Sequence, residues 1–459
     1  MARETDSNTS PETNPYRFSP DKVKEPPATF AGRLRYLGPG FILSASIVGS
    51  GELIATTRLG AEAGFVMFWI ILVSCLVKVA VQVEFGKHAI YSGQSTMEAL
   101  NSLPGPRFGK ASWTIWTWLT LMVLKTMQVG GVIGGTALVL ALVFPQVPVV
   151  VWCLAASVAV SIIIQHGRYA PIEKLSLVLI GLFTLLTVFC VVAVQYTPFG
   201  FSTGDILGGF GFQLPPEVVL IAIGAFGITG VGGDEILAYN YWLIEKGYAA
   251  HTGPYEATPA WIRRAKGWIR VLYLDAIAAM IVYTVTTAAF YLLGAAILYR
   301  QGLLPEGMEL VSTLSRMYTQ SLGDWAGALF LAGAFTVLFS TLFGALAIWT
   351  RLFADAFGQI GWFDFKETRA RRNAIGWLAW IIPLVWAALF LLIKLPAIMV
   401  AIGGAITTVI LLLVVFAVLH FRYRNLPEAL RPGRAYDTLF WISVVSIVMV
   451  ALYGLIRVF

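Results

Sequence analysis

The chain has 459 residues, of which 58% are hydrophobic and 12% charged, with a formal net charge of +7. That balance excludes an ordinary soluble domain and points to a polytopic membrane protein. The basic residues fall in separate short segments, so the positive excess does not read as a nucleic-acid surface, and no nucleic-acid partner is expected.

In chain order, residues 1–35 interleave Ser, Thr, Pro and charges and are expected to form a disordered cytoplasmic tail. They contain no signal-peptide apolar region, so the first span is expected to stay as an anchor. Apolar stretches of roughly 20 residues, enough to cross the hydrocarbon core, then recur about eleven times. They are predicted near 37–57, 64–86, 113–144, 148–165, 172–196, 216–243, 270–298, 325–354, 374–394, 397–420 and 437–457.

Lysine and arginine placement orients these spans. With the N-terminus inside, the inner loops hold Arg33 and Arg35, then Lys87, Arg107 and Lys110, then Arg168. Further along they hold Arg263, Arg264, Lys266 and Arg270, then Lys366, Arg369, Arg371 and Arg372, and finally Arg422, Arg424, Arg431 and Arg434. The outer loops carry only Arg58, Arg300, Arg316, Lys394 and Arg457. A multi-pass protein of the inner or plasma membrane follows, with the N-terminus cytoplasmic and the C-terminus extracellular or periplasmic.

Two spans are interrupted in the same way. Val48-Gly49-Ser50-Gly51-Glu52-Leu53 breaks the first, and Thr229-Gly230 with Val231-Gly232-Gly233-Asp234-Glu235-Ile236 breaks the sixth. Glycine weakens a helix, and unpaired backbone at bilayer depth survives only where it is buried in protein or lines a cavity. An acid there is a functional-site candidate by default. The breaks lie five spans apart, an odd number, as an inverted-topology repeat requires. The expected organisation is a first repeat over 36–196, a second over 197–422, and a loop with an eleventh span over 423–459. Substrate-binding candidates are Val48, Gly49, Ser50, Gly51, Glu52, Thr229, Gly230, Gly232, Gly233, Asp234 and Glu235. The bland alternative is that the acids only cap the second half-helices, satisfying free N–H groups and the positive helix end.

Two lysines lie deep in apolar spans: Lys78 in the second and Lys125 in the third. Either could pair with Glu52 or Glu84 and stand in for a coupling ion, or could form a structural ion pair inside the bundle. Asp275 and Glu173 read as structural, and Cys75, Cys153 and Cys190 as small buried apolar residues. The four histidines show no metal or catalytic spacing, so no enzyme and no cofactor are expected. A selective pore shares these residue types. Trp113, Trp116 and Trp118 suggest interface anchoring. The Arg263–Arg270 stretch reads as a topology determinant or an inner-leaflet amphipathic helix, and Gly130-Gly131 and Gly134-Gly135 as packing positions.

Several runs resemble the Nramp (natural resistance-associated macrophage protein) metal-ion transporters. Gly38-Pro39-Gly40-Phe41, Leu43-Ser44, the break and Thr56 are similar to that family's first helix. Gly60-Ala61, Gly64-Phe65, Trp69 and Gln82 resemble its second helix, and Val132-Ile133-Gly134 with Thr136-Ala137 its third. Gly167-Arg168 and Glu173 resemble its entry to the fifth. The resemblance implies an all-α membrane protein of LeuT-type fold, about eleven spans in a 5+5 inverted repeat, with broken helices one and six around a midplane cation site. A lipid bilayer and a small cation or organic solute are the implied partners, with the protein acting as a monomer.

Departures from the family pattern carry as much information. The family's Asp-Pro-Gly-Asn motif aligns with Gly49-Ser50-Gly51-Glu52, and its Met-Pro-His motif has no Met or His counterpart near Thr229-Gly230-Val231. Gln128 and Gly131 stand where the third helix normally offers proton carriers. Loss of the thioether removes the ligand that suits transition metals, whereas carboxylates and carbonyls suit Mg²⁺, Mn²⁺ or Ca²⁺. The expectation is a carrier of a hard divalent cation at Glu52, Asp234 and Glu235, with proton coupling lost or altered. Lys78, Lys125, Gln128 and Glu84 are candidates for coupling or charge balance. The alternative is an amino acid or other organic solute on the same fold, held by N–H groups at a half-helix end.

Overall fold

A computed structural model describes residues 14–40, 48–166 and 170–458 of the chain. Ten helices in these residues are long and apolar enough to cross a membrane. The first expected span falls partly on residues 41–47, which lie outside the described set. Its described part is a wide π-helical stretch, Val48–Thr56, running into α1 (Thr57–Ala63). Then come α2 (Phe68–Ser92), α3 (Trp113–Val143), α4 (Val149–His166) and α5 (Ala170–Ala193). The sixth span is split into α6 (Val219–Ile228) and α7 (Gly233–Glu245). The rest are α8 (Pro259–Leu293), α9 (Ala326–Ile360), α10 (Thr368–Ile393), α11 (Pro396–His420) and α12 (Arg434–Val458).

The split in the sixth span has a local cause. Thr229 leaves the helix for extended backbone, and Gly230 takes φ +66°, a left-handed conformation that glycine adopts without a Cβ clash. Gly232 then caps α7. A side chain at Gly230 would also meet the Cα of Cys75 at 2.9 Å, so α2 crosses directly against the break.

Glycines set the other close approaches. A Cβ on Gly131 of α3 would lie 2.5 Å from the Pro396 carbonyl of α11. Gly60 and Gly294 do the same reciprocally between α1 and the end of α8, at 2.5 Å from the Tyr291 and Thr57 carbonyls. Without a hydrophobic force between helices in lipid, such small-residue contacts are what let spans associate. Trp118 packs in the core against Phe353, whereas Trp116 is 39% exposed, so only part of that tryptophan group is placed to anchor at an interface. The Arg263–Arg270 stretch is the first part of α8. Its Trp261 and Trp268 are fully buried and donate to the Gly253 and Lys24 carbonyls, so it does not lie as a separate helix on a leaflet.

From the segment expected as a tail, residues 14–35 are described and lie against the end of the bundle expected to face the cytoplasm. The Tyr16 hydroxyl donates to Glu245 at 2.7 Å, and the Lys24 N–H donates to the His251 carbonyl at 3.1 Å. His251 Nδ1 in turn bonds the Lys22 carbonyl at 3.0 Å. The three cysteines are buried and free, as their positions suggested.

Candidate functional site

Side chains of α2, α3 and α8 meet both segments: Lys78 and Lys125 reach the sixth-span break, and Thr287 reaches Glu52 of the first span. In the first break the Gly49 N–H donates to Thr341 of α9 at 3.1 Å. The Glu52 carbonyl accepts from Thr56 and Thr57, which lets the π-helical backbone widen without stranding an acceptor. The Glu52 side chain is fully buried. Its Oε1 accepts from Thr287 of α8 at 2.8 Å, and its Oε2 has no hydrogen-bond partner.

In the sixth span Asp234 and Glu235 stand side by side in the first turn of α7, their carboxyl groups within hydrogen-bonding reach of each other. Asp234 pairs with Lys125 of α3; both are buried. Glu235 keeps an Oε2 that is shut from solvent and without a partner. Gln128, one turn along α3 from Lys125, accepts from Thr407 of α11 at 3.5 Å.

Neither lysine pairs with Glu52 or Glu84: Lys125 forms an ion pair inside the bundle with Asp234, the other alternative, and Lys78 pairs with no acid. Its ammonium donates to the Thr229 carbonyl at 2.6 Å and the Phe226 carbonyl at 2.7 Å, with the Gly227 carbonyl at 3.5 Å. These carbonyls end α6 and lack helical partners because the chain breaks there. Ser74, one turn earlier on α2, donates to the same Phe226 and Thr229 carbonyls at 2.9 and 3.0 Å.

Glu84 belongs to a different cluster, toward the other end of α2. It pairs with Lys87 and, at 2.5 Å, with Arg422, which also holds Asp437. It is therefore removed from the breaks. Asp275 accepts from the Gly38 and Gly40 N–H groups at 2.9 and 2.6 Å and from the Tyr239 hydroxyl at 2.7 Å, which fits its structural reading. Glu173 lies in α5 with its side chain outside the described part. Arg58, expected in an outer loop, is buried and bridges Glu62 and Glu306.

Among the described residues no three His, Cys, Asp or Glu side chains converge as a metal cluster. Glu52, Asp234 and Glu235 thus surround the broken region without forming one ligand set. An ion held here would keep some of its waters and use backbone oxygens, the habit of Mg²⁺. Ser74, Thr287 and Thr341 were missed in the sequence. The Ser74–Lys78 spacing of four residues was a usable signal, since it puts two donors on one helix face. Single threonines inside apolar spans carry no such mark.

The family model described as natural resistance-associated macrophage protein-like (Nramp) matches residues 40–457. The divalent metal cation transporter MntH of Brucella suis biovar 1 (strain 1330) is 24% identical over 339 residues, covering 71% of this chain and 69% of that protein. MntH of Caldanaerobacter subterraneus subsp. tengcongensis is 24% identical over 309 residues, covering 66% and 68%. Among solved structures, the Eremococcus coleocola manganese transporter aligns with TM-score 0.63 at 14% identity, over 94% of this chain and 88% of that one. MhsT in complex with L-phenylalanine gives TM-score 0.53 at 17% identity, over 94% and 100%. At such identities the structural likeness speaks for the fold alone. With the matched model covering nearly the whole chain, this protein belongs to the Nramp family of membrane transporters and has a LeuT-type, all-α fold, with its sixth span broken among the described residues.

Proposed function

We propose that this protein is an alternating-access carrier, not an enzyme, that moves a hard divalent cation such as Mg²⁺ or Mn²⁺ past Glu52 and Glu235. The observation that carries this reading is the pair of buried carboxylate oxygens, Glu52 Oε2 and Glu235 Oε2, that have no partner within the protein. A buried unpaired carboxylate oxygen costs several kcal/mol unless a cation or proton meets it. Asp234 is neutralised by Lys125 and contributes charge balance. The absence of a Met or His at the sixth-span break favours a hard ion over a soft transition metal. Gln128 in place of an acid on α3 supports transport with proton coupling lost or altered. The lysine and arginine bias supports a cytoplasmic N-terminus.

One observation favours the second reading, an organic solute. The carbonyls of the broken sixth span, natural ligands for a bare ion, are engaged by the Lys78 ammonium. Calorimetry on the purified protein separates the two. Mg²⁺ or Mn²⁺ heats abolished by Glu52→Ala, with liposome uptake that moves no protons, support the cation carrier. Heats only with amino acids or other organic solutes overturn it.

A further inference from the structure

We propose that the Lys78 ammonium is a tethered monovalent cation, fixed in the carbonyl cage that the sixth-span break opens, in the place a free Na⁺- or ammonium-sized ion would otherwise fill. The cargo reading is needed only for the transport arm of the test below; the cage and its occupant stand apart from it.

The cage is made of backbone. Where α6 ends, the Phe226, Gly227 and Thr229 carbonyls point past the last turn, and the negative end of the helix dipole adds to them. Half-helix C-terminal ends and unwound carbonyls are where broken-helix carriers hold monovalent coupling ions. Here three oxygens meet the three protons of one ammonium, at 2.6, 2.7 and 3.5 Å. The Phe226 ring lies beneath it, its centroid 5.2 Å from Nζ. Lys78 is fully buried, so its stem cannot carry the charge out to water.

Hydrogen bonding alone does not account for a lysine here. The single Ser74 hydroxyl proton already lies between the Phe226 and Thr229 carbonyls, and Thr229 Oγ1 donates to Ser74 at 2.7 Å. A neutral donor at position 78 would complete that pattern without placing a charge at bilayer depth, where charge is costly. What the lysine adds is the charge. Glu52, Glu235 and Lys125 all lie within its electrostatic reach. Three acids around the breaks are met by two lysines, and without Lys78 only Lys125 would remain against Glu52, Asp234 and Glu235. A protein holding its own cation at this point needs no free ion there to assemble the site.

The test is thermal unfolding and liposome uptake of the full-length protein in chloride salts of Na⁺, K⁺, methylammonium and choline at equal ionic strength. Wild type is expected to unfold at the same temperature in all four. Lys78→Ala is expected to unfold earlier in choline and to regain at least half of the difference, saturably, in one of the small cations. Its Mn²⁺ uptake should fall at least tenfold in choline and recover with that same cation. Lys78→Gln keeps neutral donors, blocks the cage, and should lose uptake in every salt while staying folded. The proposal is overturned if Lys78→Ala matches wild type in choline, or is impaired equally in all four salts. It is also overturned if Lys78→Gln matches wild type in both readouts, which would make position 78 a hydrogen-bond cap. Failure of both variants to fold in every salt overturns it too, because a free cation could then not replace the tethered one. The unfolding readout uses no divalent cargo, so it stands or falls separately from the Glu52 calorimetry.

Discussion

Replacing Lys125 with methionine strands one of the most deeply buried charges in the bundle, and the size of the effect can be worked out. Lys125 and Asp234 are 1% and 4% exposed, and each is the other's ion-pair partner. Deleting one member of a buried pair costs about 3–5 kcal/mol, because the remaining charge stays desolvated. The remaining Asp234 sits in the first turn of α7, where the helix dipole offsets about 1 kcal/mol. Lys125→Met should therefore destabilise the protein by about 2–4 kcal/mol. Asp234→Leu should cost at least as much, since no helix N-terminus compensates the stranded ammonium. The double variant replaces a buried pair by apolar groups and should return close to wild type. Unfolding entropy of about 2.1 cal/mol/K per residue over 459 residues makes 1 kcal/mol equal to about 1 °C. Fluorescence-detected unfolding in detergent should thus show single-variant losses of about 2–5 °C and a coupling of about 3 kcal/mol or more. Additive single losses, with a coupling below about 0.5 kcal/mol, would refute the pairing. If Lys125→Met also leaves uptake and its pH dependence unchanged, the pair is structural and has no part in coupling.

Two further outcomes are expected. Burial holds His251 below its ordinary value of 6.5, so the neutral ring is favoured in the folded protein. Its contribution is fully present above about pH 6.5 and is lost as pH falls through the lowered folded value. Because a charged ring there is opposed by burial and by the Lys24 and Lys22 charges, and the ring packs 4.9 Å from Trp268, acidification should loosen residues 22–25 and change Trp268 emission, although the Nδ1–H bond to the Lys22 carbonyl survives protonation. The same titration in His251→Gln should be flat; a curve identical to wild type would remove His251 from the account. Gly294→Ala should destabilise by about 1–3 kcal/mol through overpacking against the Thr57 carbonyl. An unfolding midpoint within 1 °C of wild type would show that α1 and α8 can part without cost.

The broken spans were legible because glycine and acid inside an apolar run conflict with a plain transmembrane helix. The sequence also placed Glu52, Asp234 and Glu235 beside those breaks, and two lysines at depth. It could not say which partner each charge takes. Lys78 shows why: its acceptors are backbone carbonyls, which have no residue identity, so no pattern of side chains announces them. Lys125 could equally have reached Glu52 or Glu84, and only the rotation of α7 about its axis brings Asp234 to it. Glu84 was drawn into the site by charge alone, yet its partner Arg422 lies 338 residues away in sequence. Trp268, in the stretch that reads as a topology determinant or an inner-leaflet helix, is instead buried with its indole N–H on the Lys24 carbonyl.

Asp275 holds the foot of the first span through two glycine N–H groups and the second half of the sixth through Tyr239, all on a single carboxylate. The two broken elements therefore share one fastening at this end of the bundle. Neither can swing outward alone without leaving the carboxylate short of donors in a dry setting. Parting the two elements at this end therefore means giving up hydrogen bonds from both of them to one buried carboxylate.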